Sequence, residues 1–315
     1  MTFPTANEID AAHERIRPYI HRTPVLTSKQ LNLLAGAEIF LKPENLQKVG
    51  AFKARGALNA VLSLSPEERK NGIVAHSSGN HAQGVAYACQ VAGIPAYIVM
   101  PENSPRVKID AVRGYGAAVS FCENTPQARQ KAADQLQHET GAVFVHPYND
   151  YRVIAGQATA AKELIEDLDE DPDFLLCPVG GGGLLSGTAL SAHYYAAGTR
   201  VIAGEPEGAA DAILSFQKGE ITNAPFVKTI ADGLLTTLGD KTFAVIQEHV
   251  TDIVTVTDAD IIETMKWIWE RLKIVVEPSG VVALAAVIKY KGLFRGKKLG
   301  VILTGGNVDL GSLPF

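Results

Sequence analysis

The stretch that decides the fold is Phe174-Leu175-Leu176-Cys177-Pro178-Val179-Gly180-Gly181-Gly182-Gly183-Leu184-Leu185-Ser186-Gly187-Thr188. An apolar run of strand length ends in four consecutive glycines and leaves through a segment suited to a helix. Without side chains, Gly180, Gly181, Gly182 and Gly183 let consecutive backbone N–H groups converge on an anion, and the helix that follows adds its positive end. The pattern reads as a phosphate cup. No Gly-Lys-Ser/Thr follows, so it is not a P-loop, and Leu185 and Ser186 stand where a dinucleotide fingerprint needs its third glycine.

Working outward, similar apolar runs rich in β-branched residues occur at 73–75, 97–100, 143–145, 201–203 and 301–303, each followed by turn chemistry and most by amphipathic segments. Strands alternating with helices predict an α/β fold built on parallel sheets. The clearest helix runs over 258–273, with Asp258 as its expected cap and Ile261, Met265, Ile268 and Leu272 on one face. The acidic, proline-broken stretch 167–173 reads as a solvated loop. No internal repeat or low-complexity segment is visible.

At 315 residues the chain exceeds the usual single-domain size, which predicts one large domain or two interleaved ones. A composition of 46% hydrophobic and 20% charged residues is that of an ordinary globular protein. The net charge of -5 arises from 29 basic and 34 acidic residues mixed along the chain, which argues against a nucleic-acid partner. Cys89, Cys122 and Cys177 lie in or beside apolar runs, as reduced core thiols of a cytoplasmic protein would. The start of the chain lacks the pattern of a signal peptide and no run is long enough to span a bilayer, so a soluble protein is expected, with no room for a regulatory module after the last strand.

Two further segments carry chemistry. In Lys48-Val49-Gly50-Ala51-Phe52-Lys53-Ala54-Arg55-Gly56, Lys53 stands among small and apolar residues, where desolvation would make its amine nucleophilic toward a carbonyl. By burial statistics alone such a lysine is more often a solvated surface residue. In His76-Ser77-Ser78-Gly79-Asn80-His81-Ala82-Gln83-Gly84, a strand runs into a helix start through hydroxyl and amide residues whose donors suit a carboxylate, although a plain helix cap explains it equally well. The spacing of His76 and His81 across a glycine turn does not match a helical zinc-ligand pair.

Taken with a terminal Thr304-Gly305-Gly306-Asn307, these segments in this order resemble the serine racemase and threonine dehydratase group of fold-type II pyridoxal-phosphate enzymes, over nearly the whole chain. The resemblance implies two open parallel-sheet α/β domains, a large one from 1–71 plus 150–315 and a small mobile one, 72–149, inserted in it. It implies a homodimer. It further implies that Lys53 holds pyridoxal 5'-phosphate as a Schiff base, that Phe52 and Asn80 contact the ring and its hydroxyl, that the four glycines bind the phosphate, and that Thr304 faces the ring nitrogen. A neutral hydroxyl there would leave the ring a weaker electron sink than a carboxylate would, which favours elimination.

On the same footing, Ser77, Ser78, Asn80 and His81 match the loop that holds the substrate carboxylate. Ser78 also matches the acid or base that serves serine racemases opposite the lysine. Glu205, the Ala209 carbonyl and Asp211 match a divalent-cation loop, whose hard oxygen donors suit Mg²⁺, Mn²⁺ or Ca²⁺. Two positions depart from the family pattern: Ala51 stands where relatives often have serine, and Thr236-Thr237 replaces paired serines of a later substrate loop. Arg129 matches an arginine near the distal end of the substrate in some relatives, though a surface arginine explains it equally well. The function implied is a dehydratase (ammonia-lyase) that converts L-threonine, L-serine or a similar β-hydroxy amino acid to a 2-oxo acid and ammonia. The alternatives are a serine racemase with side dehydratase activity and a threo-3-hydroxyaspartate dehydratase. A nucleotide-dependent oxidoreductase would leave Lys53 without a role.

Overall fold

The computed structural model describes residues 2–77, 79–104 and 106–315. Its strands are β1 (Glu38–Pro43), β2 (Ile73–His76), β3 (Ala96–Pro101), β4 (Ala118–Cys122), β5 (Val143–Phe144), β6 (Phe174–Pro178), β7 (Arg200–Pro206), β8 (Asp252–Val256) and β9 (Lys298–Leu303). They form two sheets, one ordered β1-β9-β6-β7-β8 and one ordered β4-β3-β2-β5, and every strand pairing in both is parallel. This is the α/β architecture the sequence pattern predicts.

The central strands β6, β7 and β9 are buried along almost their whole length, because helices cover both faces of a parallel sheet. The apolar helix Pro278–Lys289 packs on one face and the helices Tyr151–Glu166 and Gly183–Tyr195 lie on the other. The sequence reading found β2, β3, β5, β6, β7 and β9 but not β1, β4 or β8. All three lie at sheet edges, where a mixed burial pattern lets charged and polar residues interrupt the apolar run.

The helix expected over 258–273 spans Asp258–Leu272, but its cap is Thr257, whose hydroxyl accepts the Asp260 N–H at 3.1 Å in a capping box. The Asp258 carboxylate is taken up elsewhere, by the Thr229 hydroxyl and the Ile230 N–H. Lys273 ends the helix in the left-handed region at φ 59°. The acidic loop 167–173 exposes Asp167, Asp169, Glu170 and Asp171, as a solvated loop does, and is tethered at its surface. Asp167 pairs with Arg22 at 2.6 Å, Glu170 with Lys298 at 2.7 Å, and Asp173 accepts from Lys297 and from the Lys298 N–H.

One feature of the interior fixes the helix that begins at Lys53. The helices Lys53–Leu62 and Tyr151–Glu166 cross so closely that a Cβ on Gly156 would sit 2.7 Å from the Arg55 carbonyl oxygen, and the Gly56 N–H donates to Gln157 Oε1 at 3.2 Å. Beneath the crossing, the fully buried Arg55 guanidinium donates to Glu44 at 2.7 and 2.8 Å and to Glu163 at 2.8 and 2.9 Å. Buried Lys42 pairs with Glu163 at 2.9 Å, and the Thr23 hydroxyl donates to Glu44 at 2.7 Å. Asp167 lies 3.6 Å from Lys42 and the His13 ring 3.2 Å from Glu163, so the buried charges are paired and hydrogen-bonded, as burial requires.

Candidate active site

The lysine segment is threaded against the end of β9. The Phe52 N–H donates to the Thr304 carbonyl at 3.0 Å, Ala51 bridges Gly305, and the Gly306 N–H donates to the Gly50 carbonyl at 2.9 Å. Lys53 is the first residue of its helix. Its ammonium lies 5.1 Å from the centre of the Phe52 ring and donates to the Pro147 carbonyl at 2.9 Å. It has no carboxylate partner among the described residues, and burial pulls its pKa down to about 8. A pKa drawn down in this way leaves a larger share of the amine unprotonated at neutral pH than for an ordinary lysine, which is what Schiff-base chemistry needs of its nucleophile.

Pro147 leads directly to the glycine loop. Tyr148 packs on it so tightly that a Cβ on Gly181 would lie 2.3 Å from the tyrosine ring, and one on Gly183 would lie 2.9 Å from Tyr148 Cβ. On the other side, a Cβ on Gly182 would press on Ile246, Leu238 and Thr242, and one on Gly180 would meet Leu234 Cα at 3.0 Å. Gly182 caps the helix Gly183–Tyr195 from the left-handed region at φ 88°, which a side chain would strain. The loop is therefore a backbone cradle at a helix N-terminus, the setting in which phosphate is bound.

The segment after β2 lies on the third side. Ser77 N–H donates to the Val99 carbonyl and its hydroxyl accepts the Gly79 N–H at 3.2 Å, while Asn80 opens the helix Asn80–Ala92. Asn80 Nδ2 donates to Glu277 at 2.7 Å, and its Oδ1 accepts from Asn307 Nδ2 at 2.8 Å. The His81 ring is buried and turned away toward the Val145 carbonyl at 3.2 Å, and burial holds its pKa well below the ordinary value. What His81 can offer a carboxylate is its main-chain N–H in the first helical turn. Ser78 lies outside the described residues.

Among the remaining predicted residues, Thr304 is buried at the end of β9 beside Phe52, with its N–H directed to the Gly280 carbonyl. Thr236 is exposed in the irregular segment after Leu234, the residue that walls Gly180. Arg129, in the helix Pro126–Thr140, makes among the described residues only a 3.4 Å side-chain hydrogen bond to the Thr125 carbonyl, yet its charge is felt at both Tyr148 and His76. Four residues of the cleft were not singled out as site residues by the sequence reading: Pro147, Tyr148, Glu277 and Asn307. Asn307 was quoted within the terminal motif, but nothing in the pattern around the other three distinguishes them from ordinary loop residues.

The candidate cation loop lies beyond Tyr148. Glu205, at the end of β7, accepts the Ala212 and Ile213 N–H groups at 2.7 and 2.9 Å, and Asp211 begins the helix Asp211–Lys218. Both carboxylates are buried without a basic partner among the described residues, and Asp211 Oδ2 has no hydrogen-bond partner. Burial pushes Glu205 up to about 8, with the charge of Asp211 adding to the effect, and pushes Asp211 up to about 6. Ala209 is buried in the short turn between them. A carboxylate pair of this kind, with one oxygen unclaimed, fits a hard cation.

Comparison with known proteins agrees with this geometry. The family model described as "Pyridoxal-phosphate dependent enzyme" matches residues 16–305. A beta-hydroxyaspartate dehydratase of Paracoccus denitrificans (strain Pd 1222) is 50% identical over 315 residues, covering 100% of both chains. A serine racemase of Arabidopsis thaliana is 50% identical over 312 residues, covering 97% of this chain and 93% of its own. The solved structure of maize serine racemase superposes with a TM-score of 0.96 at 42% identity, covering 98% of this chain and 95% of the maize chain. A lysine with a lowered pKa, a glycine cradle and a match along nearly the whole chain lead to one assignment: the protein belongs to the family of pyridoxal-phosphate dependent enzymes.

Proposed function

We propose that the protein is an ammonia-lyase that removes water and then ammonia from a small β-hydroxy amino acid. The observation that carries the reading is the Pro147-Tyr148 segment, which joins the Lys53 amine on one side to the glycine cradle on the other. The N–H groups of Gly180, Gly181, Gly182 and Gly183 would hold the phosphate of the cofactor, the Lys53 amine would take its aldehyde, and Phe52, Asn80 and Thr304 would serve its ring, its hydroxyl and its nitrogen. When bound, the cofactor supplies the electron sink for breaking bonds at Cα. The rest falls to the chain. The Lys53 amine would take the α-proton and pass a proton to the departing β-hydroxyl so that it leaves as water, and the loop of Ser77, Ser78, Asn80 and His81 would hold the α-carboxylate.

Arg129, whose charge reaches Tyr148 beside the glycine cradle, favours a substrate with a second carboxylate, of the 3-hydroxyaspartate kind that the Paracoccus denitrificans relative is named for. L-serine and L-threonine are the smaller members of the same class, with Thr236 at the rim of their pocket. Racemisation would need a second acid or base opposite Lys53, and Ser78 is the residue whose hydroxyl would provide it. Glu205, Asp211 and the Ala209 carbonyl would hold a divalent cation. The segment 72–149, which carries the sheet β4-β3-β2-β5, would close over the substrate against 1–71 and 150–315. No helix among the described residues is long and apolar enough to cross a membrane. A homodimer in the cytoplasm is the setting we infer, the former from the family resemblance and the latter from the composition.

The test is to incubate the holoenzyme with L-serine, D-serine, L-threonine and threo-3-hydroxyaspartate, measuring 2-oxo acid and enantiomer ratio together. Release of 2-oxo acid supports the ammonia-lyase. Interconversion of the serine enantiomers without 2-oxo acid would replace it with a racemase, and in that case Ser78→Ala should abolish the exchange.

A further inference from the structure

We propose that Asn307 and Glu277 are positioning residues for the cofactor, which together fix the Asn80 side-chain amide so that its one free N–H points at the ring hydroxyl. The inference rests on the reading of Asn80 as a cofactor contact and goes beyond it by naming what orients the amide. An amide side chain can present either its oxygen or its nitrogen to a ligand, and the two choices differ in sign. Only the nitrogen can donate to a phenolate oxygen. Asn80 is useful only if something else chooses for it.

The choice begins at a main-chain carbonyl. Asn307 Nδ2 donates to the Val49 carbonyl at 2.8 Å, and a carbonyl can only accept, so the amide nitrogen of Asn307 must face that way. Its second N–H donates to Asn80 at 2.8 Å, which obliges Asn80 to present Oδ1 there. Asn80 Nδ2 is thereby directed to Glu277, whose carboxylate accepts one N–H at 2.7 Å. One Nδ2 proton remains. The order Val49, Asn307, Asn80, Glu277 is set by hydrogen-bond polarity from its first member onward, and it holds whether or not Glu277 is ionised.

Backbone geometry is committed to the same arrangement. Val49 is a β-branched residue held in the left-handed region at φ 56°, a strained conformation that has to be maintained by its surroundings. Glu277 is buried and its main-chain N–H donates to the Gly305 carbonyl at 2.9 Å. Gly305 admits the carboxylate only because it lacks a side chain: a Cβ there would lie 2.3 Å from Glu277 Oε1 and 3.2 Å from Asn80 Nδ2. The segments before Lys53, at the start of the helix Asn80–Ala92 and after β9 are thus locked together through one amide.

The experiment measures the affinity for pyridoxal 5'-phosphate and the ratio of its Schiff-base absorbance bands in Asn80→Ala, Asn307→Asp, Asn307→Ala, Glu277→Gln and the double variant Asn80→Ala with Asn307→Ala. Asn307→Asp is isosteric but cannot donate, so it should turn the Asn80 amide over. It should weaken cofactor binding about ten-fold, the loss expected for one hydrogen bond, and change the band ratio in the direction that Asn80→Ala does. A further variant, Glu277→Ala, removes the acceptor of Asn80 Nδ2 and should weaken cofactor binding and change the band ratio as Asn307→Asp does, while Glu277→Gln, which keeps an accepting oxygen, should recover most of both; an unchanged Glu277→Ala would remove Glu277 from the positioning role. Asn307→Ala avoids the added charge should Asn307→Asp fold poorly, and its effect should vanish in the Asn80→Ala background. If Asn80→Ala itself leaves affinity and spectrum unchanged, the cofactor role of Asn80 is wrong. If Asn80→Ala changes both but Asn307→Asp and Asn307→Ala do not, or if the alanine losses simply add in the double variant, the positioning role is wrong.

Discussion

The Lys53 amine donates to the main-chain carbonyl of Pro147 at 2.9 Å, across 94 residues of sequence. That carbonyl is a neutral acceptor and so does little to hold the ammonium charged, which is why burial prevails and brings the amine down to about 8.

Lys53→Ala should abolish the Schiff-base absorbance and nearly all turnover while leaving the fold intact, since alanine suits the first position of a helix. A folded-state pKa below the unfolded one means that the buried ammonium costs stability fully below about pH 8, and that this cost fades as pH rises from there toward the unfolded value of about 10.4. Without cofactor, the variant should therefore melt no lower than the parent at neutral pH, and its advantage should shrink above pH 8. A Schiff-base band surviving in Lys53→Ala would remove Lys53 from its role.

Glu163→Gln should destabilise the chain by about 3 kcal/mol in denaturant unfolding, because the buried cation Arg55 would then keep only Glu44 and buried Lys42 only the more distant carboxylate of Asp167, at 3.6 Å. The change lies on the helix that clamps the one carrying Lys53, so weakened cofactor binding should accompany it. A loss below about 0.5 kcal/mol, the range of ordinary surface changes, would mean that the cluster does not hold the lysine helix.

What could be read without coordinates divides along physical lines. The strand before Gly180 was legible because an apolar run ending in four glycines meets local requirements of burial and turn formation. The cradle was legible because phosphate binding there is done by main-chain N–H groups, which depend on the glycines themselves. β1, β4 and β8 were not legible, because an edge strand is half covered and its pattern is mixed. Pro147 and Glu277 escaped notice for a different reason: Pro147 contributes only a carbonyl, and Glu277 meets Asn80 across 197 residues. His81 was legible as a residue of the carboxylate loop but not in its orientation, since the turn of its ring toward Val145 depends on a neighbouring strand.

The cation loop makes a prediction about pH. Glu205 and Asp211 carry folded-state pKa values of about 8 and about 6, above the unfolded carboxylates at about 4. Such groups favour the folded state at low pH, and that contribution is lost as pH rises through the folded values. With chelator present, the melting temperature should fall between about pH 5 and pH 8. Saturating Mg²⁺, Mn²⁺ or Ca²⁺ should reverse the fall, most strongly at the upper end where both carboxylates are ionised. Asp211→Asn should abolish the difference between chelator and cation. Identical melting curves in both conditions across this range would argue against a cation at Glu205 and Asp211.

Arg129 separates the members of the substrate class. Its guanidinium forms no ion pair among the described residues, although its charge acts on Tyr148, which walls the glycine cradle, and on His76 at the end of β2. A guanidinium kept free beside a cleft is suited to a carboxylate arriving with the substrate, because a charge-assisted pair then forms only on binding. Serine and threonine carry no second carboxylate and cannot use it. In Arg129→Gln, kcat/KM for threo-3-hydroxyaspartate should fall about 100-fold, the loss of one charge-assisted pair, while kcat/KM for L-serine should change less than about three-fold. The residue lies on an amphipathic surface helix, so misfolding is a poor explanation for a loss confined to one substrate. Equal losses on both substrates would put Arg129 outside the substrate contact and leave the β-carboxylate preference without a structural basis.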